Sequence, residues 1–525
     1  MYKLKCGYLA FILFLFVDPG VLVGQSYDVI IRNGRIIDGS GNPWFRGDVG
    51  IHGNTIAGIG DLGDAVAKRE VDASGLYVTP GFIDTHSHAG PGLTSEDLSE
   101  GRPLLAQGIT TVLINPDGGG MVNLKDQKER LMRHGIGVNV IQLVPHGSIR
   151  RSIMGSEDRA PTDSEMAQML DLAQAGMREG AFGLSSGTFY VPGSYAEASE
   201  IEEMAKVVAK YKGVYTSHIR DESNYTIGLI ESVEEVINVA RNAEITSVIT
   251  HVKALGPPVW GFGSAVVRKI EAAREEGLEI YADQYPYLGS STGLSAALLP
   301  RWAQSGGADS LFNRLNRPGS REDIRAAMAD NLARRGGADR IQFRRVYFDE
   351  TIEGKLLSDV ADEREQEALD VAIEMISRGG ASIISFNMFR DDLETLMIQP
   401  WTMTSSDGGL VPWMEGVPHP RSYGAFPRKI RKYVLEDQLV SLAGAVRSMT
   451  GLPAQVFRIE GRGLLRVGSH ADLLVFDLAR INDPGTFTDP HQLAEGMVEV
   501  FVDGEAAMTD GQFTGTKAGK IITRN

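Results

Sequence analysis

Between residues 199 and 282 the chain repeats one unit three times: an amphipathic helical stretch, a short break, and a run of strand-forming residues. Ile201, Met204, Ala205 and Val208 recur at helical spacing behind Ser199 and Glu202, which stand at capping-box separation. Gly213 breaks that stretch before the apolar run Val214–Ser217. Ser232 and Glu235 open the next helix before Ile245–Thr250. Ser264 opens a third, which Gly277 closes before Leu278–Ala282. Consecutive units of this kind imply parallel strands, because each helix carries the chain back to the start of the next strand. A run of eight such α/β units would close as a (β/α)8 TIM-type barrel, the fold expected over residues 78–454, although the pattern alone does not count all eight.

The flanks read differently. Residues 26–77 and 455–525 are rich in short strands and turns, with Asn33-Gly34 as a hairpin signal and Ala471–Phe476 and Val498–Val502 as apolar strands. A chain of 525 residues exceeds one ordinary core. The two ends are therefore expected to pair into one small, discontinuous β-sandwich beside the barrel. Residues near 290–345, with Pro300, Pro318 and an Arg-rich helical stretch, break the rhythm and read as an insertion placed as a lid.

At the N-terminus, Lys3 and Lys5 precede the apolar run Tyr8–Val17, and small residues follow at Val23-Gly24. This is the layout of a secretory signal, predicted over residues 1–25, and it implies a periplasmic or secreted protein. Cys6 is the only cysteine and lies inside that segment, before the apolar run, so neither disulfides nor a lipid anchor are expected. No later segment reads as a membrane span. A net charge of −16 argues against nucleic-acid partners, which need a basic surface. The sequence carries no signal for an oligomeric state.

Chemistry concentrates at predicted strand ends. The apolar run Leu76–Ile83 leads into Asp84-Thr-His86-Ser-His88. At a period of two, both imidazoles point to one side, where they can meet one cation. His218 and His251 each follow a predicted strand of consecutive αβ units, at the rim where such barrels keep their active sites. Asp407 follows the apolar segment Trp401–Ser405 and could both bind metal and take a proton from water. The remaining histidines lack metal-type spacing, and His419 shares a loop with Arg421.

Taken together these segments resemble the amidohydrolase superfamily, and finer motifs resemble its N-acyl-D-amino-acid deacylase (D-aminoacylase) branch. The motifs are Gly180–Gly193, His218-Ile-Arg-Asp-Glu222, Asp283-Gln-Tyr-Pro-Tyr287 and His419-Pro-Arg-Ser-Tyr-Gly424, with Gly468–Asp477 in the returning β-region. The resemblance implies zinc, as one or two divalent ions, held by His86, His88, His218, His251 and Asp407. It also exposes a departure. The branch carries a metal-bridging cysteine where this chain has Asp117, so Asp117 becomes the candidate replacement, a harder ligand than a thiolate.

The implied reaction is hydrolysis of an N-acyl amino acid, with Asp407 as general base. Tyr190, Tyr285 and Ser291 match substrate-contacting positions of the branch. Arg421 is expected to clamp the substrate carboxylate, with Lys253 adding charge from the His251 strand. A preference for the D-enantiomer rests on the resemblance alone. Three alternatives stay open: a cyclic-amide hydrolase of the dihydroorotase or hydantoinase kind, a dipeptidase for D-residue peptides, and a non-catalytic exported binding protein. The first usually bridges its metals with a carboxylated lysine, and Gly180–Pro192 offers none.

Overall fold

The computed structural model describes residues 26–524, so the signal-like segment 1–25 lies outside the described residues. Eight strands succeed one another through the middle of the chain: β1 (Phe82–Asp84), β2 (Ile109–Ile114), β3 (Asn139–Gln142, continuing as Val144–Pro145), β4 (Gly183–Gly187), β5 (Val214–His218), β6 (Thr246–Ile249), β7 (Ile280–Gln284) and β8 (Thr402–Thr404). All are parallel. β3 bonds to β2 through its first half and to β4 through its second, which makes the order continuous from β1 to β8. Among the described residues no ladder joins β8 to β1. That seam is held by the Ser406 N–H donating to Asp84 Oδ1 (2.8 Å) and the Asp407 N–H donating to the His86 carbonyl (2.9 Å).

Helices return the chain on the outside. Ala198–Ala209 buries Ile201, Met204, Ala205 and Val208 against the sheet, and each large apolar side chain so buried stabilises by roughly 1.5–3 kcal/mol. The expected Ser199–Glu202 capping box does not form: the helix starts two residues earlier, with Glu197 at its N-cap.

The two chain ends pair into one nine-stranded sheet, in which Leu473–Phe476 bonds to Tyr77–Pro80. Ile36, Val49 and Val78 from the N-terminal part share a buried cluster with Leu473, Val475 and Phe501 from the C-terminal part. The Asn33-Gly34 signal makes no hairpin. Ser26–Ile36 is one strand, and the two residues form a bulge in it, Asn33 taking φ 60° while its N–H donates to Asp48. The run Leu76–Ile83 is likewise divided. Tyr77–Pro80 belongs to the end sheet and Phe82–Asp84 to the barrel, with Gly81 between them, where a Cβ would lie 2.1 Å from Thr110 Oγ1. The last strand, Ile521–Ile522, pairs with β3 of the barrel instead of the end sheet.

The insertion runs further than residue 345. Ser290–Gly293 and Ile341–Arg345 both pair with Ser382–Ser385, the central strand of a separate antiparallel sheet. This lobe has its own core around Leu298, Phe343 and Ile373. Its helix Ala368–Ser377 precedes a strand, so its pattern is that of another barrel unit; only pairing of β7 directly with β8 reveals the excursion.

Candidate active site

The C-terminal strand ends converge on a cavity of about 900 Å³. His86 and His88 follow β1, Asp117 follows β2, His218 ends β5, His251 follows β6 and Asp407 follows β8. Three of these hold left-handed backbone: Asp117 at φ 55°, His251 at φ 37° and Asp407 at φ 50°. Such conformations cost energy for non-glycine residues and persist only where surrounding bonds enforce them.

Those bonds come from buried neighbours. Asp283 on β7 accepts from the His251 N–H (2.8 Å) and the Ser405 hydroxyl (2.7 Å), tying the ends of β6 and β8 together. Asp84 accepts from Ser406 and from the His86 N–H (3.3 Å). Burial pushes the Asp84 carboxyl up to about 6 while the Ser406 bonds work against that rise. Ser185 Oγ donates to the Asn115 carbonyl and accepts from the Gly118 N–H, fixing the loop that carries Asp117. That loop presses on β4, where a Cβ at Gly187 would lie 2.2 Å from the Asp117 carbonyl oxygen. The carboxylate at the centre of the site thus enters from β2, and Gly187 at the end of β4 has no room for a side chain.

Asp117 occupies the centre. Its Oδ1 lies 3.3 Å from His86 Nε2 and 3.4 Å from both His218 Nδ1 and His251 Nε2. Its Oδ2 lies 3.3 Å from His88 Nε2. Asp407 Oδ1 stands 3.1 Å from His88 Nε2 and 3.7 Å from His86 Nε2. His86 Nε2, both His218 nitrogens and Asp117 Oδ1 are buried without a hydrogen-bond partner. Each such orphan costs about 1–3 kcal/mol; His86 Nε2, His218 Nδ1 and Asp117 Oδ1 face one another, while His218 Nε2 faces Glu222. The ligand atoms of His86, Asp117 and His251 lie within 4.8 Å of one another, as do those of His86, His88 and Asp407. Imidazole nitrogens and carboxylate oxygens converging without protons to share fit divalent cations. Because Asp117 turns one oxygen toward each group, it can serve two ions.

Glu222 was not singled out from sequence as a site residue, although it closes the His218–Glu222 motif four residues after His218. Its carboxylate lies 3.6 Å from His218 Nε2 and 3.2 Å from His251 Nδ1, on the ring edges turned away from Asp117. A carboxylate there orients both rings. Burial would raise its pKa, but Lys253 and His218 hold it well below the usual carboxylate range. Lys253, expected to add charge beside the substrate, lines the cavity and also bonds to Glu222 and to His251, with Nζ 2.8 Å from Nδ1.

Arg421 Nη1 pairs with Asp407 Oδ2 at 2.8 Å and its guanidinium lies 4.7 Å over the Tyr285 ring. Burial opposes ionisation of Asp407, yet Arg421 and the imidazoles hold it far below the carboxylate range. Tyr285 is buried and donates to Met388 Sδ (3.5 Å). Tyr190 packs edge-on against His218 at 4.7 Å, with Thr292 Oγ1 3.3 Å from its hydroxyl. Burial and Asp117 raise its pKa well above 10, so it keeps its proton. Ser291, on the insertion strand, also lines the cavity. His419 stands back from the donors. Its Nε2 donates to the Gly289 carbonyl (2.9 Å) and its Nδ1 accepts from the Arg421 N–H (3.0 Å), which makes it the anchor of the Arg421 loop.

Residues 69–507 match the model of the amidohydrolase family Amidohydro_3. The chain is 34% identical to a D-aminoacylase of Alcaligenes xylosoxydans xylosoxydans, over 95% of this chain and 98% of that protein. A solved D-aminoacylase described with a binuclear metal centre superposes with a TM-score of 0.81 at 30% identity, covering 95% of this chain and all (100%) of its own. An N-acyl-D-glutamate deacylase from Bordetella bronchiseptica, solved with zinc and a phosphonate mimic of the tetrahedral intermediate, gives 0.80 at 31% identity with the same coverage. The chain belongs to the amidohydrolase family, in its N-acyl-D-amino-acid deacylase branch.

Proposed function

We propose that this chain hydrolyses the amide bond of N-acyl-D-amino acids, releasing a carboxylate and the free D-amino acid. The observation that carries the reading is the position of Asp407. One of its oxygens faces the histidine cluster (3.1 Å from His88 Nε2), the other is held by Arg421, and both groups line one cavity.

His86, His88, His218, His251, Asp117 and Asp407 would hold one or two zinc ions. A bound zinc ion provides a Lewis acid that polarises the amide carbonyl and brings the pKa of water to roughly 7. Asp407 accepts a proton from the attacking water at Oδ1, since Arg421 occupies Oδ2. As the C–N bond breaks, the same oxygen returns that proton to the departing nitrogen. Tyr190 keeps its hydroxyl proton and donates to the oxyanion that forms on the former carbonyl. Arg421, lying between Asp407 and Tyr285, offers its free face to the substrate carboxylate.

The crowded end of β4 favours this reading over a cyclic-amide hydrolase with a lysine bridge. The deciding assay gives zinc-loaded protein matched N-acetyl-D- and N-acetyl-L-amino acids, with chiral resolution of the product. Release from the D series, abolished by chelator, supports the proposal. Release from the L series alone would overturn the stereochemistry, and turnover of dihydropyrimidines alone would overturn the substrate class. The charged and apolar layout of residues 1–25 further supports export to the periplasm or medium. N-terminal sequencing of protein from an exported fraction tests that: a start near residue 26 is expected, and an intact Met1 in the cytoplasm contradicts it.

A further inference from the structure

Resting on the deacylase reading above, we propose that Lys253 couples carboxylate binding to metal binding: it holds His251 in the tautomer that opposes metal until a ligand carboxylate draws its ammonium away. Lys253 is then a positioning residue, acting on the centre through the His251 ring.

The count of donors and acceptors leads there. An ammonium has three N–H donors and no acceptor. Lys253 Nζ is bonded to Glu222 Oε1, to His251 Nδ1 (2.8 Å) and to the His251 carbonyl (2.9 Å), so all three protons are in use. The left-handed turn at His251, φ 37°, bends the chain so that the residue two positions on reaches back to both the ring and the carbonyl. Because the ammonium only donates, Nδ1 accepts, and the single proton of the neutral ring stands on Nε2. Nε2 is the nitrogen that faces Asp117 Oδ1 at 3.4 Å, where a metal needs a lone pair. Metal binding there requires the proton on Nδ1. The chain gains and loses no proton in that exchange; one proton changes place.

Glu222 is set to receive it. Its Oε1 lies 3.2 Å from His251 Nδ1. Once Lys253 turns away, the Nδ1–H donates to that oxygen, the arrangement that orients a metal-binding imidazole. Lys253 also lines the cavity, with Nζ 5.7 Å from the centroid of the Tyr285 ring, the ring that Arg421 covers at 4.7 Å. The two cations suited to a substrate carboxylate thus lie against one ring. To take the carboxylate, the ammonium gives up one of its three acceptors. Leaving Glu222 strands a buried acid, and leaving the His251 carbonyl strands a buried acceptor. Leaving Nδ1 strands nothing, since Glu222 accepts the new N–H. The exchange therefore falls on Nδ1, and carboxylate and metal favour the same tautomer. Each then strengthens the binding of the other by the same factor.

The test uses the metal-stripped full chain labelled with 15N-histidine, whose imidazole shifts tell a protonated ring nitrogen from a bare one; His251→Gln assigns the signals. Wild type alone should carry the His251 proton on Nε2. N-acetyl-D-leucine should move it to Nδ1, and N-acetyl-D-leucinamide, which lacks the carboxylate, should not. Lys253→Met should carry it on Nδ1 without any ligand, and in competition with a chelator should bind zinc about tenfold more tightly than wild type. A proton already on Nδ1 in ligand-free wild type, or one that stays on Nε2 in Lys253→Met, overturns the proposal. So does zinc affinity in Lys253→Met equal to or weaker than that of wild type. A tautomer that N-acetyl-D-leucine leaves unmoved, or that the amide moves equally, removes the coupling to carboxylate. These spectra involve neither metal nor turnover, so their failure leaves the deacylase reading standing; that reading falls separately, on the absence of D-leucine release by the zinc-loaded chain.

Discussion

Asp117 Oδ2 lies 3.3 Å from His88 Nε2, while its Oδ1 lies 3.4 Å from His218 Nδ1 on the opposite wall of the site. One carboxylate therefore spans the distance between two groups of donors. Asp117→Ala should weaken metal binding by at least about 100-fold, the upper range for losing even an orienting partner. Asp117→Cys should retain metal, because a thiolate is also a bridging ligand. Metal content by elemental analysis after dialysis decides; unchanged stoichiometry in Asp117→Ala would return the residue to an ordinary turn role.

Gly187 and the Asp117 carbonyl approach so closely that a Cβ would fall 2.2 Å from the oxygen. Gly187→Ala should lower stability by about 1–3 kcal/mol, as overpacking does, and displace the Asp117 loop. Urea denaturation and metal content read the two effects separately. A variant with wild-type values in both would show that the loop is not pressed against β4.

His419 acts through Arg421 and not on the reacting atoms. His419→Phe keeps the ring volume but removes the acceptor for the Arg421 N–H and the donor to Gly289. We expect kcat/KM to fall about 10- to 100-fold through a higher KM, as displacing a substrate-binding group by about an ångström would do. Metal content should not change. A loss confined to kcat, with KM intact, would contradict the anchoring role.

Lys429 is buried and, among the described residues, has no acidic partner. Its Nζ donates to Thr404 Oγ1 (2.8 Å) and Ser448 Oγ (3.0 Å), and burial pushes its pKa down to about 7 from 10.5. Between those values the unfolded chain holds a proton that the folded chain has lost, so stability rises with pH across that window. Below pH 7 the cost of the buried charge is fully present. Lys429→Met should stabilise the protein at pH 7 by about 1–3 kcal/mol and flatten the rise between pH 7 and 10. Thermal denaturation at several pH values checks this; a destabilised variant with the same pH slope would contradict it.

The αβ rhythm and the donor histidines were legible because both follow from short-range pattern, whereas the count of eight strands did not. Ile201, Met204, Ala205 and Val208 mark a helix face within one turn-by-turn period. His86 and His88 follow an apolar run at the period of a strand. What pattern could not supply lies between distant segments. Asp283 and Asp84 look like ordinary strand residues until β7 and β1 are set beside β8. Lys253 reads as a free cation until Glu222, from the preceding αβ unit, arrives beside it. The φ of 37° at His251 leaves no trace in composition, and the bulge at Arg344 depends on which strand lies opposite. The insertion was read too short for the same reason: Ser382–Ser385 is central only because two strands far away in sequence flank it.

The central claim is that Asp407 carries the proton of the reaction over a histidine and carboxylate metal cluster. The most direct measurement is D-amino acid release by Asp407→Asn, alongside its metal content. The account predicts retained metal, since His86, His88, His218, His251 and Asp117 remain, with turnover lowered at least about 1,000-fold, in the range for a general base. Near wild-type release from a metal-replete Asp407→Asn protein would contradict it.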